Sequence, residues 1–287
     1  MKKTAKLKKL LEKPGIILAP GIYDAIGAKL VEKAGFDLCY MTGNGSVASF
    51  LGIPDIGLAT MSEMVFRAHT LASAIGIPLI SDADTGYGNL NNVKRTVEEF
   101  EAAGVAGIHI EDQTTPKKCG AMKDLTLLSS EDAVEKIKVA LKSRKDPNFL
   151  IIGRTDAGAS YGLDEAIRRA KAFADAGADM VYVEMLKNKK EILQVTKSID
   201  NAPVLYNLLA RSPDRVYSAK ELQSLGVKVV IYSMAATLFV TKKLSEFFIS
   251  LKKEETPLAF VKEMASLREL EQLMGLDEEK NIRERLI

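Results

Sequence analysis

EAAGVAGIHIED, residues 101–112, decides the fold. A helical run ends at Gly104, a short β-branched run follows within a few residues, and the run finishes on two acids. Glycine suits the left-handed residue just past a helix C-terminus, and Val/Ile-rich runs suit strands covered on both faces, as parallel sheets require. The same phrase recurs as EKAGFDLCYMT (32–42), ADAGADMVYVE (174–184) and QSLGVKVVIYS (223–233). Each is a helix-to-strand joint.

Working outward, strands are predicted at about 16–20, 37–42, 78–84, 106–111, 149–155, 179–184, 203–207 and 228–232, with amphipathic helices between them. Eight alternations favour a closed (β/α)8 TIM-type barrel. An open doubly wound sheet is the alternative, but no G-x-G-x-x-G follows the first strand, so the phosphate-cradling turn of a dinucleotide fold is missing. The whole chain, 1–287, reads as one barrel domain with a helical C-terminal extension over about 244–287. There PLAFVKEMASLRELEQLMG (257–275) carries apolar residues at helical spacing and has no strand to cover. Such helices either close the barrel or pack on another subunit.

Of the 287 residues 47% are hydrophobic, enough for one large core. Lysine and arginine total 40 against 38 acids, a net charge of +2, so no basic field is available to hold a nucleic acid. The two cysteines, Cys39 and Cys119, lie in contexts too different for a disulfide framework, and a reducing cytoplasm fits them best. The basic start MKKTAKLKKLLEK lacks the apolar core and cleavage site of a signal peptide. Leu7, Leu10 and Leu11 instead predict an amphipathic helix packing on the domain; lying on a membrane is the other reading. The most apolar stretch, Val229 to Val240, is too short to span a bilayer and holds Tyr232, Ser233 and Thr237, so no membrane partner is expected.

In a closed barrel the chemistry sits at the C-terminal ends of the strands, where residues two apart share a face. In PLISDADTGYG (78–88), Ile80, Asp82 and Asp84 fall in one phase. In the central phrase His109 and Glu111 point inward, opposite Ile108 and Ile110. The same rule turns Glu184 inward with Tyr182 and Arg154 inward with Ile152. A cluster of like charges is costly unless neutralised, and oxygen ligands suit a hard divalent ion that keeps several waters. Asp82, Asp84 and Glu111 are therefore candidate ligands for Mg²⁺, with Mn²⁺ the second choice. The bland alternative is that these acids cap helices or pair with Arg154 and nearby lysines. Cys39 alternates with inward Leu38 and Tyr40, so it faces the helix layer as a small buried hydrophobe. Cys119, beside Lys117, Lys118 and Gly120, is either a reactive thiol favoured by nearby cations or an exposed, inert loop cysteine.

These residues together resemble the isocitrate lyase and phosphoenolpyruvate mutase superfamily, in its short methylisocitrate lyase-like branch. The resemblance is carried by APGIYDA (19–25), LGIPDIGLAT (51–60), DADTGYGN (82–89), NVKRTV (92–97), AGVAGIHIEDQ (103–113), PKKCG (116–120), GRTDA (153–157) and GLDEAIRRA (162–170). It implies a barrel whose eighth helix is often swapped between subunits, in dimers or tetramers, and Mg²⁺ held by the acids named above. By motif position, Tyr40, Thr42, Gly43 and Asn44 resemble the segment that grips a small 2-oxo acid, with Asp55, Asp82, Asp84 and Arg154 around it. His109, Glu111 and Glu184 resemble further positions of that site. Lys117, Cys119 and Gly120 match the mobile loop that carries the acid of the lyases, and Asn207 resembles a contact to the second carboxylate.

The resemblance implies cleavage of a 2-hydroxy di- or tricarboxylate, methylisocitrate-like or substituted-malate-like, to pyruvate or glyoxylate plus a second carboxylic acid. Cys119 is nominated as proton donor and Tyr40 as base, with the loop closing to exclude water. Two positions depart from the pattern. Ala121 stands where such lyases carry histidine after Cys-Gly, and NLLARSP (207–213) replaces a longer Asn-Met-x-Glu stretch, losing the glutamate and offering Arg211 as a candidate carboxylate grip. Phosphonopyruvate or carboxyphosphonoenolpyruvate mutase chemistry, and oxaloacetate hydrolysis or decarboxylation, are the alternatives within the superfamily. A barrel that binds metal and dicarboxylate without turnover is the alternative outside it.

Overall fold

Each glycine phrase folds as a stop signal. Gly35, Gly104, Gly177 and Gly226 all take positive φ, between 85° and 97°. At three of them the next N–H returns to the carbonyl five residues earlier: Phe36 to Val31, Ala178 to Phe173 and Val227 to Leu222. Orphan carbonyls at the helix end are thereby satisfied, and the chain is turned toward the sheet. The structure is a computed structural model describing residues 1–209 and 216–277.

The strands are β1 (Ile17–Ile22), β2 (Cys39–Met41), β3 (Leu79–Asp82), β4 (Gly107–Glu111), β5 (Leu150–Thr155), β6 (Met180–Val183), β7 (Val204–Asn207) and β8 (Val229–Tyr232). They pair in parallel in sequence order, and β1 pairs with β8 to close the barrel. The predicted (β/α)8 architecture is therefore the observed one. Around it run α1 (Lys3–Glu12), α2 (Ala25–Lys33), α3 (Gly43–Leu51), α4 (Met61–Ala74), α5 (Leu90–Ala102), α6 (Ser130–Ser143), α7 (Ala157–Ser160), α8 (Leu163–Asp175), α9 (Lys189–Ser198), α10 (Ala219–Ser224), α11 (Ala235–Glu254) and α12 (Leu267–Leu273), with a 3-10 turn at Leu258–Glu263.

Strand alternation divides the core in two. Ile17, Leu38, Tyr40, Ile80, Leu150, Ile152, Met180, Tyr182, Leu205 and Val229 fill the barrel interior. Cys39, Leu79, Ile108, Ile110, Ile151 and Val181 face the helices, so Cys39 lies where the alternation puts it. Leu7 of α1 belongs to the interior set and is fully buried. The first helix thus plugs the N-terminal mouth of the barrel. Leu7→Ala is expected to destabilise the fold by roughly 2–5 kcal/mol, the range for large-to-small changes in a filled core, read as a lower midpoint in chemical denaturation.

Three boundaries move in ways that matter to the site. β1 runs on to Ile22, past the predicted end near Pro20; glycine is needed at position 21 because an added Cβ would meet the Ser233 carbonyl oxygen at 2.6 Å. β3 stops at Asp82, two residues short of the predicted end, and Asp84 takes a left-handed φ of 47°. The apolar stretch 229–240 divides between β8 and α11, so the C-terminal helix begins at Ala235 rather than near 244. No side chain of α11 is buried, and Leu238, Phe239, Leu244, Phe248 and Ile249 are exposed along it. Among the described residues no helix is long and apolar enough to cross a membrane.

Candidate active site

A cavity of about 270 Å³ opens at the C-terminal end of the barrel. Arg154, on β5, stands at its centre. Its Nη1 lies 3.2 Å from Glu111 Oε2 and 3.9 Å from Asp82 Oδ2, its Nη2 lies 3.9 Å from Glu184 Oε2, and its Nε donates to Asp156 Oδ1 at 2.8 Å. The guanidinium also lies over the Tyr182 ring, 5.1 Å from its centroid. The strand-borne groups of the sequence reading therefore converge, but at two depths. Tyr40, Asp82, Arg154 and Glu184 line the cavity, whereas His109 and Glu111 lie behind that wall.

His109 is wholly buried beneath Tyr40, with Nε2 2.8 Å from the phenol oxygen and Nδ1 3.6 Å from Asp82 Oδ1. Burial pushes its pKa down to about 4, so the ring is neutral near pH 7. Nε2 is within hydrogen-bond distance of the Tyr40 hydroxyl, and Nδ1 faces the Asp82 carboxylate. Burial first, and Asp82 second, hold the Tyr40 phenol well above its ordinary pKa, so it keeps its proton. Burial likewise drives Glu111 well above the usual carboxylate range despite Arg154. Asp82 goes the other way: His109, Lys117 and Arg154 outweigh burial and hold it below the ordinary range. With His109 neutral its contribution falls away, and Lys117 and Arg154 are the permanent charges that oppose burial.

Asp84 departs from the expected phase. Once β3 has ended, the left-handed turn aims it at Lys117 Nζ, 2.7 Å away, and toward a neighbouring cavity of about 350 Å³ walled by Tyr87 and Arg95. Burial raises its pKa to about 6. Lys117 also pairs with Asp55 Oδ1 at 2.5 Å. Burial alone would lower the Lys117 pKa, but Asp84, Glu111 and Asp55 hold it well above its usual value. It forms the partition between the two cavities.

The loop after β4 brings Lys117, Cys119, Gly120 and Ala121 over the opening; a bridge between Gln113 and Leu127 pinches its base. The Cys119 N–H donates to the Asp55 carbonyl at 3.0 Å, and Asn44 Nδ2 lies 3.6 Å from Cys119 Sγ. Neither local reading of this cysteine survives intact. Lys117 is occupied by carboxylates and Lys118 Nζ donates to the Asp124 carbonyl, so the adjacent cations do not create a thiolate. Nor is the thiol an exposed loop group: burial raises its pKa, and Cys119 is a protonated thiol near neutrality. Gly120 is packed so closely that an added Cβ would meet Arg154 Nη2 at 2.5 Å.

Thr42 caps α3, accepting from the Gly45 N–H at 3.3 Å, and the free N–H groups of the first turn lie at the site. Gly43 is in direct contact with the Asp82 carboxylate and leaves no room for a side chain. Asn207 donates to Glu184 Oε2 at 3.3 Å. Arg211 lies outside the described residues. The remaining wall of the cavity is Ala121, Leu209, Ser233, Met234 and Leu238, apolar but for the one serine.

The phase argument missed a second carboxylate layer. Asp112 Oδ1 accepts from the Asp156 N–H at 3.0 Å, and its Oδ2 accepts from Thr155 at 2.7 Å and Arg169 at 3.1 Å. Asp156 in turn holds Arg154 side-on, through Nε at 2.8 Å and Nη2 at 3.2 Å. Both acids directly follow strand ends, in IEDQ and GRTDA, but in or beyond the outward phase. The signal that could have found them is the pairing of two buried acids with only Arg154 and Arg169 nearby.

Comparison with known proteins gives the same result along the chain. The phosphoenolpyruvate phosphomutase family profile matches residues 7–251. A 2,3-dimethylmalate lyase from Eubacterium barkeri is 41% identical over 282 residues, 98% of this chain and 97% of that protein. Relatives named 2-methylisocitrate lyase match at 35% identity. A crystal structure of 2,3-dimethylmalate lyase superposes with a TM-score of 0.93 at 33% identity, covering 100% of this chain and 96% of that one. Phosphonopyruvate hydrolase in complex with oxalate and Mg²⁺ superposes with a TM-score of 0.88 at 29% identity, over 99% of each chain. With a closed barrel, the strand-end acids and a Cys-Gly loop seated over them, the chain belongs to the phosphoenolpyruvate mutase/isocitrate lyase superfamily.

Proposed function

We propose that this chain is a Mg²⁺-dependent carbon–carbon lyase acting on a malate with alkyl substituents. One observation carries the reading: Cys119, a protonated thiol, shares a cavity with a charged wall at Tyr40, Asp82 and Arg154 and an apolar wall at Ala121, Leu209, Met234 and Leu238. The charged side suits the 2-hydroxy acid end, with Thr42, Gly43 and Asn44 at the helix start and Asp55, Gly120, Glu184 and Asn207 around it. The apolar side suits alkyl groups. Its alkyl-sized apolar contacts favour a substituted malate over a methylisocitrate-like tricarboxylate, while Arg211, the candidate grip for a further carboxylate, lies outside the described residues.

The donor set fits a hydrated Mg²⁺, with Mn²⁺ the alternative. Six buried carboxyl groups, Asp55, Asp82, Asp84, Glu111, Asp156 and Glu184, surround two permanent cations, Lys117 and Arg154. Both Glu111 oxygens are buried without a hydrogen bond, Oε2 meeting only the Arg154 guanidinium at 3.2 Å, while Asp84 Oδ1 pairs with Lys117 Nζ at 2.7 Å. Mg²⁺ takes oxygen ligands and keeps several of its waters, which a cavity edged by carboxylates accommodates. Asp82, Asp84 and Glu111 would hold it; when bound it would lower the barrier to hydroxyl deprotonation and neutralise the 2-oxo acid as it forms.

Arg154 orients the substrate carboxylate. The hydroxyl proton passes to Tyr40 as the phenol gives its own proton to His109, whose imidazolium Asp82 stabilises. The C2–O bond becomes a carbonyl, the C2–C3 bond breaks, and its electron pair is taken up on C3 as the enolate of the second carboxylate. Cys119 then supplies the proton to C3, with Lys117 and the loop excluding water. A methyl on C2 makes the first product pyruvate; hydrogen there makes it glyoxylate.

Turnover tests this reading. Purified protein with Mg²⁺ is offered alkyl malates, 2-methylisocitrate, phosphonopyruvate and oxaloacetate, and products are followed by mass. Cleavage of an alkyl malate to a 2-oxo acid is expected. Preferential turnover of phosphonopyruvate or oxaloacetate would move the chain to another branch, and none at all would leave a barrel that only binds. The exposed apolar face of α11 supports association of copies through that helix. Sedimentation is expected to show dimers or tetramers; a monomer at micromolar concentration refutes this. Both cysteines are free, in keeping with a cytoplasmic protein.

A further inference from the structure

Gln113 follows the two acids at the end of β4 and is buried. Its side chain makes three hydrogen bonds. Oε1 accepts from the Lys118 N–H at 2.9 Å, and Nε2 donates to the Lys118 carbonyl at 2.9 Å and to Asp156 Oδ2 at 2.5 Å. One amide therefore reads both backbone groups of the residue before Cys119 and shares a carboxylate with Arg154. Asp156 is the group that fixes the plane of the Arg154 guanidinium. Gly120, on the other side of Cys119, packs against the same two residues, with space for an added Cβ ending 2.5 Å from Arg154 Nη2 and 3.0 Å from Asp156 Oδ2.

We infer that Gln113 is a positioning residue: it seats the Cys119 loop on the Asp156–Arg154 pair, so the thiol and the guanidinium are set in one frame. The pattern demands an amide. One acceptor and two donors are needed at a single planar group; a carboxylate supplies only acceptors and a thioether supplies essentially none. Without the amide, closing the loop leaves both Lys118 backbone groups without the partner they have here and Asp156 Oδ2 with Arg154 Nη2 alone, so the closed position is disfavoured. The Cys119 N–H still reaches the Asp55 carbonyl and Lys117 still reaches Asp55, so the loop stays tethered on its opposite flank. A loop held on one flank keeps substrate in place but displaces the thiol relative to C3. The cost falls on the chemical step, where a displacement of about 1 Å is worth around 100-fold.

The catalytic half of this inference rests on the lyase reading; the loop half does not, and two readouts separate them. The first is trypsin cleavage after Lys118 and Lys123, both exposed, with and without Mg²⁺ and oxalate, a small dicarboxylate probe. Oxalate is expected to slow cleavage of the wild-type loop about tenfold or more and that of Gln113→Met less than about threefold, because the closed population follows the hydrogen bonds lost. In turnover, Gln113→Met is expected to lower kcat about 10–100-fold while KM moves less than about threefold.

Gln113→Glu supplies a second arm. It keeps the length of the side chain but turns an acceptor toward Asp156 and the Lys118 carbonyl, so it is expected to lose oxalate protection and kcat as Gln113→Met does. A merely space-filling role predicts that the isosteric glutamate behaves as wild type. Wild-type kcat together with wild-type oxalate protection in either variant overturns the inference, as does a wild-type loop that oxalate does not protect. Absence of any wild-type turnover sinks the lyase reading instead, and the proteolysis arm then decides for Gln113 alone.

Discussion

Cys119→Ser is expected to lower kcat for cleavage by roughly 10²–10⁴-fold, the usual range for removing a positioned proton donor, with Mg²⁺ affinity unchanged. The argument is one of proton inventory. When the C2–C3 bond breaks, the electron pair on C3 needs a donor inside a cavity that the loop has closed to water. Tyr40 faces His109, and Lys117 is engaged by Asp55 and Asp84, so neither offers a free proton to the apolar side. Cys119 does, and burial keeps its thiol protonated near neutrality. Serine holds the shape but is a far weaker acid and reaches less far. Steady-state turnover beside a calorimetric Mg²⁺ titration checks this; turnover at the wild-type rate would remove Cys119 from the mechanism.

Asp82→Asn should abolish most metal-dependent activity, raising the Mg²⁺ concentration for half-maximal rate by roughly 100-fold or more, beyond the 10–100-fold typical of groups acting one layer out. Of the three proposed metal acids Asp82 is the one held below the ordinary carboxylate range, with Lys117 and Arg154 opposing its burial, and it alone of the three lines the cavity directly. Neutralising it leaves those cations opposed by acids that burial has partly protonated, Asp84 and Glu111. Asp84→Asn should have a smaller effect, because that side chain is spent on Lys117. Unchanged affinity in both variants would refute the metal assignment.

The barrel was legible because its signals are local. A glycine past each helix, β-branched runs and alternating phase each depend on a few neighbouring residues, and Cys39, Ile108 and Ile110 fell on the predicted side. Depth was not legible. Two-residue periodicity says that His109 and Asp82 face inward, but not that His109 lies under Tyr40, which depends on register between β2 and β4 across β3. Phase also fails where a strand ends, as at Asp84. The rule had nothing to say about loop geometry, so Cys119 was left open between two readings, and its burial comes from Asp55 and Asn44, more than sixty residues upstream. The residue before it is set by Gln113, whose amide gave no sequence signal of its own.

The plug at Leu7 has a kinetic corollary. With Ile17, Leu38, Leu150 and Met180 packed around it, the described barrel gives no passage through its N-terminal end. Both products must then leave by the opening through which substrate entered. The deeper product is the 2-oxo acid, against Asp82 and Arg154, while the second acid lies against a wall that includes half-exposed Leu238. On the proposed reaction, release is expected to be ordered, second acid first and 2-oxo acid last, with the 2-oxo acid binding first in the condensing direction; product-inhibition patterns check this.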